Sequence, residues 1–506
     1  MINFRQYPNC TKVKIPGAIN LSTNDFSGAF AEMRNLQYLD IDKNIENKIN
    51  KLSNSLWNSG ICYNCGNLIE TAICGDKLDD VSYAYRNCTN LTTALCGPNV
   101  ASMISVYYGC TNLTTAVCGN KVIDMSGAYA NCINLTTAVC GPNVADMGWA
   151  YKDCKKLTTA VCGPNVTDMS ETYRNCTNLT ITVCGYKVTN MARAYEYCTN
   201  LTTAVCGPNV TDMGSVYEGC INLTTAVCGP NVTNMGRAYY GCTNLTTAVC
   251  GPNVADMSYA YYSCKNLTTA VCGNNVKDMF KSYAYCTSLT TAICGDKVTN
   301  MSTVYDGCIN LTTAVCGPNV TDMRYAYLNC TNLNTALCGP NVTDMYGAYS
   351  GCTSLTTAVC GPNVTNISNA YSSCTNIQGN SYFYSPNVNE VKGCFNGRNT
   401  SNMLNIYVQE NSTTMNTCLT NNYRSLTGSA ITWTNDSTNN RYYNTQANIY
   451  IYPVANVYKA EETSMLQDFT YDDNGDGTYT LTGWKETYQG KPSTEMVIPD
   501  SPKIIL

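Results

Sequence analysis

Thirty-three cysteines and not one histidine define the chemistry open to this chain. Without His there is no Ser-His-Asp triad, no Cys-His pair and no imidazole metal ligand, and neither a P-loop nor a dinucleotide-binding glycine fingerprint occurs. Cys62 and Cys65 form a lone CxxC. A tetrahedral zinc site needs a second pair at similar spacing, so these two are expected as small packed thiols. Asp472, Asn474, Asp476 and Gly477 match the first half of a calcium loop, but its twelfth position is Gly483, where a bidentate carboxylate is required. An Asp-Gly hairpin turn is the expectation there. Sequons such as Asn90-Leu91-Thr92 follow from the repeat described next. No catalytic residue, metal site or cofactor is expected, and the chain reads as non-enzymatic.

The cysteines acquire meaning from their spacing. Those preceding Gly fall at 74, 96, 118, 140, 162 and onward to 360 in an unbroken step of 22, and a second column runs from Cys88 to Cys374 in the same step. One unit, Leu91 to Asn112, reads LTTALCGPNVASMISVYYGCTN. Its recurring Leu, Ala, Cys, Val, Met, Tyr and Cys are the expected buried positions. The Leu-Thr-Thr-Ala-aliphatic-Cys stretch is β-branched and ends in Gly-Pro-Asn, which predicts a short strand closed by a turn. Val100, Met103, Tyr107 and Cys110 then follow at steps of three and four, which predicts a helical turn with these side chains on one face. The residue before the Met is usually Asp or Asn (Asp124, Asp146, Asp168, Asn190) and is expected to cap that segment.

A strand and a helical turn cannot bury themselves in 22 residues. Each coil must stack on the next, which predicts a repeat solenoid with a parallel sheet. The structural ladders are then Cys96, Cys118, Cys140 and Cys162 in one column, Cys110, Cys132 and Cys154 in another, and Tyr107, Tyr129 and Tyr151 in a third. Thiols packing as small hydrophobes are the expectation, although stacked coils also bring successive Cys to a separation a disulfide can span.

The unit resembles the BspA-like leucine-rich repeat, with its Leu-rich strand, Pro turn and Val-Thr-x-Ile-x-x-x-Ala-Phe-x-x-Cys. Here the slots read Val166-Thr167-Asp168-Met169 and Ala194-Tyr195, closing on Cys198, across roughly residues 61–379. Met stands for the family's Ile, Tyr for its Phe, and Cys-Gly-Pro for Ile-Pro. The resemblance implies a leucine-rich-repeat solenoid and a surface role such as adhesion.

Residues 1–60 keep irregular echoes, among them Gly28-Ala29-Phe30, and read as an N-terminal cap; 61–379 is the array. Beyond Ile377 the register fails, and NIYVQEN, SAITWTND and NIYIYPVANVY alternate like strands, predicting a smaller β-rich region over 380–458. That region resembles, less specifically, segments that follow such arrays in phage-encoded surface proteins. Residues 459–506 read as a hairpin-containing segment running through Met496-Val497-Ile498-Pro499.

Charge narrows the partners. A net −5 with 13% charged residues leaves no basic stripe for nucleic acid, and no apolar run of about 18 residues predicts membrane insertion. The start lacks the basic and apolar regions of a secretory signal, so synthesis in the cytosol without a signal peptide is expected, followed by display on a virion or extracellular surface, or alternatively a cell surface.

If Leu91, Ala94 and Cys96 face inward, alternation sends Thr93 and Leu95 outward. The successive pairs Thr115 and Val117, Thr137 and Val139, Thr159 and Val161, Thr203 and Val205, Thr225 and Val227, Thr247 and Val249, and Thr269 and Val271 then form two exposed columns, the expected binding surface. Apolar columns of that extent call for a cover, hence expected self-association or a protein or glycan partner on a cell or particle. The pairs Gly148-Trp149, Ser170-Glu171, Ala192-Arg193 and Phe280-Lys281 vary between coils and are expected as a solvated ridge. The functional expectation is a structural or recognition protein, foremost a virion fibre, decoration or host-attachment component, with a BspA-like cell-surface adhesin as the alternative. An ice-binding solenoid is a remote third, disfavoured because the outward pair is Thr and Val.

Overall fold

The computed structural model describes residues 3–457 apart from 19–22, 47, 53–59, 72–75, 293 and 421, together with 469–473, 479–484 and 504–505. The chain forms two compact units, Met1–Leu333 and Asn334–Leu506.

In the first unit, strands β1 (Lys12–Ile15), β2 (Tyr38–Ile41) and β3 (Glu70–Thr71) pair in parallel, and a single helical turn, α1 (Lys43–Glu46), follows β2. The N-terminal residues therefore make coils of the same kind. Phe30 donates its amide to the Ile61 carbonyl at 2.9 Å and stacks on Phe4 at 4.9 Å. Long, unequal loops separate these strands, and they hide the coils from any search for a fixed period.

From about residue 76 the coils are nearly identical. Neighbours touch along two parallel lines, one through bridges such as Thr115–Thr137 and one through Asp124–Asp146. Between and after these lines lie the Gly-Pro-Asn turn and the Met-to-Cys segment. Leu113, Val122, Met125, Tyr129 and Cys132 are fully buried, and so are their equivalents in successive coils.

The Met-to-Cys segment departs from the helical turn read from its spacing. Alternate amides reach forward to the next coil: Met103 to Asp124 (2.8 Å), Ser105 to Ser126 (2.8 Å), Tyr107 to Ala128 (2.9 Å) and Gly109 to Ala130 (2.8 Å). The intervening amides close tight turns, Val106 to Met103 and Cys110 to Tyr107. That alternation requires two left-handed residues per coil, as at Ser105 (φ 48°) and Gly109 (φ 74°), or Trp149 (58°) and Asp153 (62°). A non-glycine residue there costs about 1–2 kcal/mol, offset by inter-coil hydrogen bonds of about 0.5–1.5 kcal/mol each. The spacing of three and four identifies the buried face; the backbone under it is a winding of turns. The Asp or Asn that precedes most of these Met residues caps it, as Asp146 Oδ1 accepts the Gly148 amide at 2.7 Å and Asn190 Oδ1 that of Ala192 at 3.0 Å.

In the second unit β4 (Val359–Cys360), β5 (Gly379–Phe383), β6 (Leu404–Gln409) and β9 (Ile449–Val454) are parallel neighbours. The hairpin β7 (Thr434–Asp436) and β8 (Arg441–Asn444) adds antiparallel to β9. Helix α2 (Thr413–Cys418), capped by Ser412, lies between β6 and β7. The β-rich region thus carries parallel coiling past residue 379 with longer connections, and Phe395 stacks on Tyr371 at 5.9 Å. Arg398, buried, donates to the carbonyls of Ile377 (3.3 Å), Asn402 (2.5 Å) and Ala447 (2.5 Å), tying these coils together; burial pulls its guanidinium down to about 10. The tail holds an antiparallel pair, β10 (Phe469–Asp473) and β11 (Tyr479–Trp484), with β12 (Ile504–Ile505) parallel to β11. Asn474, Asp476, Gly477 and Met496 through Pro499 lie outside the described residues. No helix among the described residues is long and apolar enough to cross a membrane.

Candidate functional site

Three interior columns form the frame. Tyrosine hydroxyls clasp the strands of their own coils: Tyr107 accepts from the Leu95 amide and donates to the Leu95 carbonyl, both at 2.7 Å, and Tyr173 does the same with Val161 at 2.9 and 2.6 Å. Twelve rings of this column, Tyr85 to Tyr327, are fully buried and stack at 5.4–5.8 Å. Tyr107, Tyr129 and Tyr151 belong to this stack, and burial raises the Tyr129 and Tyr151 phenols well above their ordinary value.

The second cysteine column is also fully buried. Cys110 donates its thiol to the Tyr85 carbonyl at 3.1 Å, Cys132 to Tyr107 at 3.2 Å and Cys154 to Tyr129 at 3.1 Å. A small side chain with a weak donor satisfies a carbonyl of the preceding coil there. The CxxC falls into the same scheme. Cys65 donates to the Phe30 carbonyl at 2.9 Å, and Cys88 donates to the Cys62 carbonyl at 3.0 Å. Cys62 therefore stands in the tyrosine place and Cys65 in the cysteine place.

The first cysteine column corrects the expectation that it faces inward with Leu and Ala: Cys96, Cys118, Cys140 and Cys162 are half-buried. Cys96 and Cys140 pack against a Met sulfur, Cys140 on Met147 at 3.6 Å, and each of the four lies under the glycine of the next coil. A Cβ on Gly119 would come within 2.8 Å of Cys96 Sγ, which explains the Cys-Gly pairing. Burial pushes the Cys140 thiol up to about 12. All described cysteines are free thiols.

The strand surface is rearranged relative to the alternation read from sequence. Thr115, Thr137, Thr159, Thr203, Thr225, Thr247 and Thr269 are exposed, but Val117, Val139, Val161, Val205, Val227 and Val271 are half-buried and only Val249 reaches 40% exposure. The order is Leu113 buried, Thr114 and Thr115 exposed, Ala116 buried. The chain turns a corner at the two Thr, and the tyrosine clasp on the following residue draws it in. Thr136 Oγ1 donates to the Thr114 carbonyl at 3.1 Å, so the column formed by the first Thr of each pair is engaged with its neighbour.

The variable ridge is ordered rather than merely solvated. Lys152 pairs with Glu171 at 2.9 Å, Arg174 with Glu196 at 2.8 Å and Arg237 with Glu218 at 2.9 Å. Burial opposes ionisation of Glu218, yet hydrogen bonds from Arg237 and Ser215 hold its carboxyl below the usual range. Aromatic side chains follow: Arg237 lies over Tyr240 at 4.4 Å, Tyr240 stacks on Tyr262 at 4.7 Å, Tyr259 meets the edge of Phe280 at 5.4 Å and Tyr262 that of Tyr285 at 5.3 Å.

Beside this cluster opens a cleft of about 470 Å³ spanning three coils. Phe280 and Lys281 form one wall, Arg324, Tyr325 and Leu328 the other, and Ser302, Thr303 and Asp306 the floor. Small residues in the middle coil, flanked by bulky ones in both neighbours, create it. Asp306 is only 6% exposed and its Oδ1 has no hydrogen-bond partner. Burial raises its carboxyl, against the opposing influence of the Tyr285 phenol and Lys281. Sequence reading missed Asp306. The available signal was the Ser302-Thr303 pair in a position otherwise occupied by residues such as Phe280-Lys281 and Arg324-Tyr325.

Among curated proteins none matches this chain. The chain is similar in structure to a leucine-rich repeat protein from Bacteroides ovatus ATCC 8483, at 16% identity and a TM-score of 0.51, over 69% of this chain and 86% of that one. It also matches a leucine rich cell surface protein from Faecalibacterium prausnitzii A2-165 (16% identity, 79% and 87% covered, TM-score 0.32). A third match is the functional domain of InlJ from Listeria monocytogenes, which includes a cysteine ladder (15% identity, 68% and 85% covered, TM-score 0.22). Six copies of the BspA type leucine rich repeat region match residues 2–136, 103–224, 215–334 and 301–427. With most of its length matched by that repeat, the chain belongs to the BspA-type leucine-rich repeat family.

Proposed function

We propose that this chain is a non-enzymatic recognition protein, displayed on a cell surface or on a particle, whose coils hold a variable ridge against a protein or glycan partner. The observation that carries the reading is the division of labour within each coil. Leu113, Val122, Met125, Tyr129, Cys132 and their copies repeat without exposure, while the ridge changes from coil to coil and holds ion pairs, stacked rings and an open cleft. A frame that tolerates varied side chains on one side suits recognition. Membership of a repeat family built for binding supports it.

The partner belongs on the ridge in this proposal, because the valines of the strand corner, Val249 apart, are half-buried and offer less apolar surface for self-association than alternation predicts. Cell-surface adhesion is the favoured setting, since the family resemblance points there. Immunogold labelling of intact producing cells and of any particles they release distinguishes the two settings, and retention of the purified chain on target cells tests recognition. A chain confined to the cytosol that binds no cell, particle, protein or glycan refutes the proposal.

A further inference from the structure

We infer that the cleft floored by Asp306 binds a neutral sugar ring. This inference rests on the recognition reading and names the ligand of one place on the ridge. A buried acceptor without a donor calls for an explanation, and where its residue borders a cleft a group entering that cleft supplies one. Asp306 lines a cleft open to solvent and is more than nine-tenths buried; its carboxyl takes a hydrogen bond from the Tyr285 phenol, which leaves Oδ1 as such an acceptor. The cavity, about 470 Å³, falls in the range of small-ligand clefts, about 300–1,000 Å³.

The walls select among ligands. Lys281 borders the cleft beside Asp306, and Arg324 opposite is forked onto Asp322 at 2.7–3.1 Å. A cation entering would meet Lys281, and an anion would meet Asp306. A hydroxyl does what neither ion can: it donates to the carboxylate and accepts from the ammonium. The Ser302 and Thr303 hydroxyls, 3.4 Å apart on the floor, add two further groups able to do both. Phe280 is half-buried and Tyr325 is 37% exposed, so each offers ring surface to the cleft. A sugar combines the two requirements, carrying adjacent hydroxyls on its rim and C–H bonds on its face for contact with an aromatic ring. The open mouth admits the end of a longer chain, so a terminal residue of a glycan fits.

The test uses the full chain on an array of neutral and acidic oligosaccharides, followed by titration of the retained sugars. Neutral saccharides bind, Asp306→Asn weakens them at least about tenfold through loss of a charge-assisted hydrogen bond, and Thr303→Tyr, which fills the floor, abolishes binding while thermal melting shows a folded array. The inference is overturned if the array retains no neutral saccharide, if Asp306→Asn binds as well as the parent, or if only a lysine-rich peptide binds at this cleft. Cells oxidised with periodate separate this from the wider reading. Attachment that survives both periodate and Asp306→Asn removes the sugar and leaves recognition standing. Saccharide binding without any attachment to cells or particles removes the wider reading alone.

Discussion

Replacing Tyr195 with Phe deletes one oxygen from the middle of the tyrosine stack. That oxygen accepts from the Val183 amide at 3.0 Å and donates to the Val183 carbonyl at 2.6 Å, while the ring, stacked on Tyr173 at 5.5 Å and Tyr217 at 5.6 Å, keeps its contacts. Two hydrogen bonds are lost at about 0.5–1.5 kcal/mol each, with an added penalty of about 1–3 kcal/mol for a polar group left dry. Val183 is half-buried, so water reaches its backbone and cuts that penalty. The expected local loss is about 2 kcal/mol, equivalent to roughly thirtyfold in an opening equilibrium. Long arrays open by neighbouring units rather than all at once. The measurement is therefore native-state hydrogen exchange at the Val183 amide, with a distant coil as internal reference. Exchange at Val183 unchanged within about threefold refutes the clasp as a source of strand order.

Three further outcomes follow from the same frame. Gly141→Ala sets a Cβ 2.8 Å from the Gly119 carbonyl and 2.9 Å from Cys118 Sγ, and should cost about 1–3 kcal/mol by overpacking, read as a lowered midpoint in urea. Trp149→Gly relieves a left-handed residue (φ 58°) whose side chain is exposed and should stabilise its coil by up to about 1 kcal/mol, read by exchange at neighbouring amides. Alkali should unfold the array: folding raises the Cys198 thiol from 9.0 to about 12 and raises the Tyr195 phenol well above 10.0, in both cases first through burial. Groups with raised folded values contribute stability that is complete below the unfolded value and fades as pH climbs toward the folded one. Circular dichroism should therefore hold steady to about pH 9 and decline progressively above it, with thiol labelling following the same curve.

The buried face was legible because its period is set by stacking: a residue that touches its own copy one coil away must keep its type, as Leu113, Met125, Tyr129 and Cys132 do. Backbone conformation was less legible. Steps of three and four describe both a helix and a winding of turns; what separates them is the left-handed residue, and Trp149, Glu171 and Arg193 carry no trace of it in their identity. Its second column, with Gly109, Asn131, Asp153 and Asn175, does carry such a trace. The strand alternation failed at Val117 because a tyrosine twelve residues on holds that backbone. Past Ile377 the period breaks while parallel pairing continues, since connections can lengthen without disturbing the strands they join. Asp306 escaped notice because a cleft across three coils is a property of their order, whereas a repeat is read one column at a time.

Hydrogen bonds in the frame also bear on how such a gene changes. Amides of one coil are answered by carbonyls of the next, and each inner thiol by a carbonyl of the coil before. Excising or duplicating one whole 22-residue unit by unequal recombination therefore rejoins donors to acceptors of the same kind, and the frame closes over the change. The cleft has no such tolerance. It belongs to three particular coils in one particular sequence, and a single unit gained or lost between Lys281 and Thr303 erases it while leaving the fold in place.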